Sequence, residues 1–269
     1  MIWFITGASK GFGREFAIAA LERGDQVAAT ARHTAALNDL AARYGDRLLP
    51  LRLDVTDRAA DFNAVGQAYD HFGRLDIVVN NAGYGHFGAF EELSEADLRN
   101  QLETNLFGAV WITQAALPFL RDQGSGHIIQ VTSVGGIGAF PGVSAYHASK
   151  WALEAMTESL SGEVGPLGIK VTLVEPGGFG TDWAGPSSRS SEKMTEYDFV
   201  REAMARRRGS GEPGDPKAAA QALLEIVDAE KPPLRVLFGT GTPDLIAGIY
   251  SERLRMWSDW SAVSQRAQG

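Results

Sequence analysis

The chain has 269 residues, a formal net charge of −8, 44% hydrophobic and 22% charged residues, and no cysteine. Disulfides, thiolate catalysis and cysteine-ligated metal are excluded, which fits a reducing, cytoplasmic setting. An acidic balance without an extended basic block argues against nucleic acid as a partner, and the absence of any run of eighteen apolar residues argues against a membrane span.

The first stretch is short and apolar, Ile2 to Ile5, and continues as Thr6-Gly7-Ala8-Ser9-Lys10-Gly11-Phe12-Gly13. A helical pattern follows over 14–23. Strand, glycine turn and helix in that order make a phosphate site: glycine lets the backbone approach a ligand, and the helix start offers unpaired N–H groups and a positive dipole end. The N-terminus begins this strand directly, so no signal peptide is expected.

Further strands are expected over 26–30, 47–53 and 75–80, with helices over 34–44 and from Asp57 to Phe72 between them. Apolar strands alternating with helices of ten to fifteen residues predict a Rossmann-type, doubly wound parallel α/β sheet of about seven strands in a single domain. The end of the second strand reads Thr30-Ala31-Arg32-His33, without the carboxylate that would receive a ribose 2′-OH. Arg32, with Lys10 nearby, suits a 2′-phosphate instead, so NADP(H) is the expected cofactor. Asp54, next to Val55, either accepts from the adenine amino group or holds a turn.

Asn80-Asn81-Ala82-Gly83 ends the fourth strand; buried asparagines need hydrogen-bond partners and are expected to tie strand ends together beside the cofactor. Ser94 and Asp97 cap a long helix running to Leu120, with Asn105 in its middle.

A fifth strand leads to Ser133, a glycine loop follows, and Ser144 opens a helix containing Tyr146 and Lys150, four apart on one face. An ammonium beside the phenol is expected to lower its pKa, so that Tyr146 can exchange a proton with a carbonyl or alcohol oxygen. Ser133 is assigned to hydrogen-bond the same oxygen. A sixth strand over 169–175 ends at Pro176-Gly177, and a seventh is expected over 235–239.

These residues together resemble the short-chain dehydrogenase/reductase family over roughly residues 2–240. The resemblance rests on the 6–13 glycine motif, on 80–83, Ser133, Tyr146-x-x-x-Lys150 and Pro176-Gly177-Gly178-Phe179-Gly180-Thr181. It implies a catalytic tetrad of Asn105, Ser133, Tyr146 and Lys150, with Asn105 holding its helix open for a water that joins Lys150 to solvent. It implies a cofactor held by Thr6, Gly7, Ser9, Lys10, Gly11, Phe12, Gly13, Arg32, Asp54, Val55, Asn81, Ala82, Gly83, Tyr146, Lys150, Pro176, Gly177, Phe179 and Thr181. It also implies homodimers or homotetramers formed through the helices at about 95–121 and 144–165.

Residues 182–215 are the expected substrate lid, with a helix around 192–204 and a basic run at Arg206-Arg207-Arg208. The expected pocket lining is Phe87, Gly135, Val143, Phe179 and Trp183, with His86 and His147 as polar candidates. A helix over 217–229 and an amphipathic tail over 245–260 complete the chain. The five histidines show no metal-ligand spacing. An aromatic, uncharged pocket favours an NADPH-dependent carbonyl reductase, reversible as an alcohol dehydrogenase, for a bulky apolar substrate. A sugar- or acyl-thioester-specific reductase and a non-enzymatic NADPH-binding regulator are the alternatives; the intact Asn105, Ser133, Tyr146 and Lys150 argue against the last.

Overall fold

The computed structural model describes residues 1–185, 187–208 and 212–269. Among these, seven strands form one parallel sheet: β1 (Ile2–Ile5), β2 (Gln26–Ala31), β3 (Leu48–Arg52), β4 (Ile77–Asn80), β5 (Gly126–Val131), β6 (Ile169–Pro176) and β7 (Arg235–Phe238). Their spatial order is β3-β2-β1-β4-β5-β6-β7. The sheet grows one way from β1 to β3 and the other way from β4 onward. The carboxyl ends of β1 and β4 therefore flank the crevice where open α/β sheets take ligands.

The strands are apolar throughout because both faces are covered. In β1, Trp3 and Ile5 face a core shared with α1 (Gly11–Glu22), while Ile2 and Phe4 face a second core against α3 (Arg58–Phe72). Each such side chain contributes about 1.5–3 kcal/mol by burial, so the period of two in a four-residue strand holds two helical layers at once. α2 (Asn38–Tyr44) lies on the α1 side.

The caps are largely where the sequence placed them. Asp57 accepts from Ala60 N at 3.0 Å, and Gly73 ends α3 at φ +79°. Ser94 and Asp97 exchange bonds at the head of α4 (Glu95–Leu102). The region 34–44 differs from expectation: a 3-10 turn, Thr34–Leu37, precedes α2. The long helix also divides, because a π-turn over Glu103–Phe107 separates α4 from α5 (Gly108–Gln123).

After α6 (Ser144–Val164) and β6, the lid is mostly irregular. It forms a two-residue ribbon, Arg189–Ser190 beside His86–Phe87, and then a 3-10 turn, Thr195–Tyr197. Its helix, α7 (Asp198–Arg208), starts six residues later than expected. Residues 186 and 209–211 of the expected lid, and the side chains of Arg207 and Arg208, lie outside the described residues. Arg206 pairs with Glu202 at 3.8 Å on the exposed face of α7.

α8 (Pro216–Asp228), capped by Asp215, packs beside α1. α9 (Thr242–Asp259) and α10 (Ser261–Gln268) form the tail. Its first half holds to the domain through Ile246 and an Arg253 bond to the Ile137 carbonyl at 2.8 Å, whereas Leu254, Trp257 and Trp260 are exposed. No helix among the described residues is long and apolar enough to cross a membrane.

Candidate active site

The end of β1 and the end of β4 are tied by side chains. Thr6 Oγ1 accepts from Asn81 N at 2.9 Å and Ala82 N at 3.0 Å. Asn81 Nδ2 donates to Thr6 O at 2.9 Å and Gly7 O at 3.2 Å. Asn80 Nδ2 donates to Thr113 Oγ1 on α5 at 2.9 Å. The two asparagines thus bond to β1 and to α5 respectively.

Gly7 has φ +66°, and a Cβ there would stand 2.9 Å from Ala82 Cα. At Gly13, a Cβ would overlap Asn81 Nδ2 and lie 2.6 Å from Gly7 O. Only glycine lets the turn fold this tightly onto β4. Gly11 opens α1, whose first turn has no acidic residue and no side-chain cap, so its first amide groups and positive dipole end are left free of side-chain compensation. Ser9 is half-buried in the turn. Phe12 stacks on Phe16 at 5.6 Å and meets Phe179 edge-on at 5.0 Å. Thr181 lies against Gly11, and Lys10 pairs with Asp182 at 3.3 Å. The glycine turn and the turn after β6 therefore form one surface.

Arg32 is exposed just past β2 and forms no ion pair among the described residues. Asp54 Oδ1 accepts from Thr56 N at 3.1 Å and Thr56 Oγ1 at 2.9 Å, which gives it a turn-holding role. The Val55 side chain is buried in the α3 core; a Cβ on Gly108 would stand 2.8 Å from it, so the start of α5 packs closely there.

Around β5 the other residues converge. Ser133 Oγ accepts from Gly135 N at 2.9 Å and donates to Pro176 O at 3.4 Å, joining the ends of β5 and β6. Tyr146 is 7% exposed, with Ser133 near enough to act on its hydroxyl. Lys150 Nζ donates to Val131 O at 2.7 Å and stands 6.0 Å from the centroid of the Tyr146 ring.

The expected lowering of the phenol pKa by the ammonium does not occur. Burial pushes Tyr146 up to about 12, against the opposing effect of Ser133. Burial likewise lowers Lys150 to about 8, with the Glu154 carboxylate opposing. The lysine is aimed at a backbone carbonyl, so desolvation dominates both groups. The phenol is held protonated, ready to donate.

Asn105 explains the π-turn. Its Oδ1 accepts from Tyr84 N at 3.0 Å, and its Nδ2 donates to Tyr84 O at 3.0 Å and Ser149 Oγ at 3.2 Å. One amide thereby joins the loop after β4 to α6. Gly83 lies between, where a Cβ would be 3.1 Å from Asn105 Oδ1 and 3.7 Å from Lys150 Nζ.

Of the expected pocket lining, Phe87, Gly135 and Trp183 gather near Tyr146. The Trp183 ring lies 4.8 Å from Tyr146 and 5.4 Å from Phe87, and Gly85 leaves it room. A Cβ on Gly135 would stand 3.1 Å from Tyr146 Cε1. Val143 is buried and bridges Gly88. Phe179 stands instead against Phe12 of the glycine turn.

The histidines have structural partners. His147 Nδ1 donates to Gly135 O at 2.8 Å and its Nε2 accepts from Phe140 N at 3.0 Å, pinning the glycine loop. His86 Nε2 lies 2.8 Å from Ser191 Oγ, clasping the lid ribbon.

Sequence reasoning missed a cavity of about 250 Å³ beside Phe87, lined also by Gly142, Ser191, Val200, Arg201 and Met204. The Met194 and Ala89 amides, then Arg201, hold Glu92 well below the usual carboxylate range, at about 2, and the Arg201 pair fastens α7 to the body. The apolar spacing of Val200 and Met204 was the available signal.

Residues 1–192 match the family model described as short chain dehydrogenase. Oxidoreductase BOA17 of Botryotinia fuckeliana is 42% identical over 273 residues, covering 98% of each chain. A short-chain dehydrogenase from Streptomyces avermitilis superposes with TM-score 0.93 at 41% identity over 99% of each chain. The alcohol dehydrogenase of the archaeon Thermococcus sibiricus, solved in complex with 5-hydroxy-NADP, has TM-score 0.73 and 26% identity, over 88% of this chain and 95% of that one. The fold and site define a Rossmann-type oxidoreductase scaffold. The chain belongs to the short-chain dehydrogenase family.

Proposed function

We propose that the protein is an NADP(H)-dependent carbonyl reductase, reversible as an alcohol dehydrogenase, acting on a bulky apolar ketone or secondary alcohol. The observation that carries this is the buried Tyr146 phenol, set beside Ser133 and facing Trp183 on the ligand side of the sheet.

The residues present fit a phosphorylated dinucleotide. Gly7 and Gly13 let the turn close onto Ala82 and Asn81 at the strand ends, α1 presents amides without an acidic neighbour, and Arg32 is exposed where a 2′-phosphate would be held. The NADP derivative bound by the Thermococcus sibiricus relative supports the same cofactor. Thr6, Gly7, Ser9, Lys10, Gly11, Phe12 and Gly13 would hold it, with Asn81, Ala82 and Gly83 and the 176–181 turn on the other side. Bound there, the nicotinamide supplies or accepts a hydride.

Tyr146 then donates its proton to the carbonyl oxygen. Ser133 donates to the same oxygen and stabilises the charge that develops on it. Lys150 fixes the floor of the site through Val131 O, and Asn105 holds α4–α5 against α6. The raised phenol pKa keeps the hydroxyl protonated, the form that carbonyl reduction needs. Phe87 and Trp183 offer aromatic surface to a bulky apolar substrate. Exposed Leu98, Phe107, Trp151 and Met156 on α4 to α6 support pairing of copies through these helices.

The test is a panel of aryl, cyclic and aliphatic ketones followed by NADPH absorbance, with the matching alcohols and NADP. Turnover of ketones with NADPH supports the assignment. Turnover confined to sugars or acyl thioesters, or to no compound at all, replaces it with one of the alternatives.

A further inference from the structure

One buried group of charges lies directly behind the site. Glu154 follows Lys150 by four residues on α6, so the two stand on one face of the helix. Its side chain is 6% exposed. Arg235, reaching over from the edge strand β7, contacts Glu154, lies 3.1 Å from Glu175 on β6, and extends to Glu158 at 2.7 Å. Glu175, itself 2% exposed, immediately precedes Pro176, whose carbonyl accepts from Ser133.

Glu154 Oε1 is buried and has no hydrogen-bond partner among the described residues. A Cβ on Gly136 would stand 2.8 Å from Glu154 Cγ and 3.2 Å from Lys150 O, so the loop after Ser133 rests on this carboxyl. A carboxylate buried without full pairing costs several kcal/mol unless an opposite charge compensates it. Two cations are in place to do so: Arg235 outside and Lys150 inside.

We propose that Glu154 is a positioning residue for Lys150, its buried carboxylate, pinned by Arg235, keeping the lysine ammonium charged against the Val131 carbonyl beneath Ser133. The proposal rests on the assignment above for its link to catalysis, and on the shared helix face and burial of the two charges for its effect on the lysine.

The groups facing Glu154 are Lys150 and Glu158 on α6, Glu175 on β6, Arg235 on β7, and the Thr132 hydroxyl at the end of β5. Burial raises the pKa of both Glu154 and Glu175, and the Arg235 guanidinium opposes this in each. Arg235, in contact with Glu154, favours its charged form. That charge opposes the burial that draws Lys150 down to about 8. Without it, the lysine loses its proton at lower pH.

The direct test is the pH titration of the Lys150 Cε resonance by carbon-13 NMR, in unmodified protein and variants, assigned by its loss in Lys150→Arg. Glu154→Gln is expected to move the inflection down by about one pH unit or more. Arg235→Gln should move it the same way, because Glu154 then takes up a proton. Glu175→Gln keeps an acceptor for Arg235 in place and should leave it unmoved, as should Glu158→Gln at the exposed rim. Glu154→Asp, which keeps the charge, should restore most of the difference.

An inflection unchanged in Glu154→Gln would overturn the proposal. So would an equal downward shift in all four glutamine variants, since that reports general loosening. In the reductase assay, the basic limb of kcat/KM should shift with the NMR inflection while the rate near pH 6 stays within about threefold. A rate lowered equally at every pH would mark a merely structural role and count against it. If the unmodified protein reduces no carbonyl compound, the reductase assignment fails, and the lysine titration still decides this inference.

Discussion

Asn81 fills the space that a side chain at residue 13 would need. Its Nδ2 bonds to Thr6 O and Gly7 O, and a Cβ on Gly13 would overlap it. The motif's last glycine is thus required by the packing of Asn81, just past β4. Gly13→Ala should destabilise the fold by about 1–3 kcal/mol through overpacking, measured by urea unfolding. An unchanged midpoint would mean that the two strand ends are not packed as described.

Arg32 stands exposed beyond β2 with no carboxylate on that strand end. Arg32→Asp should weaken NADPH roughly tenfold to a hundredfold, the worth of one charge-assisted bond, and reverse the preference toward NADH. Dissociation constants from fluorescence titration check this. Equal affinity of the unmodified protein for both cofactors would remove the 2′-phosphate contact from the account.

Asp61 in α3 is fully buried, and neither carboxyl oxygen has a hydrogen-bond partner among the described residues. Burial, then Asp57 and Asp54, push its pKa from 3.8 to about 8. The folded protein therefore retains a proton that the unfolded chain has released over that window. Stability present below about pH 4 is lost as pH rises through about 8. Asp61→Asn should stabilise by about 1–3 kcal/mol at pH 8 and by little at pH 4, as read from urea midpoints. An equal effect at both pH values would show that the carboxyl is ionised when folded.

Trp183 covers Tyr146 and meets Phe87. Trp183→Ala should lower kcat/KM for an aryl ketone about tenfold, in keeping with the worth of an aromatic contact, and should barely alter a small aliphatic ketone. The ketone panel measures the ratio. A uniform loss across the panel would assign the ring to lid closure and not to substrate preference.

The sheet was legible because strands buried on both faces are unbroken apolar runs, and because glycine or asparagine follows β1 and β4 where the chain must turn. Thr6, Asn81, Ser133, Tyr146 and Lys150 could be placed at the sheet edge from order alone. Their partners could not. The bond from Asn105 to Tyr84 and Ser149 spans α4, β4 and α6, and so the π-turn it accompanies has no local signature. The four-residue spacing of Tyr146 and Lys150 reported a shared face but not the burial that outweighs their mutual field. The lid ribbon, two residues per strand, is too short for any periodicity to show.

The central claim is that the Tyr146 hydroxyl gives the proton during carbonyl reduction. Stopped-flow NADPH oxidation by Tyr146→Phe with a saturating ketone tests it most directly. A rate reduced by about a hundredfold or more, with NADPH affinity unchanged, is the expected result; a rate within about threefold of the unmodified protein would contradict it.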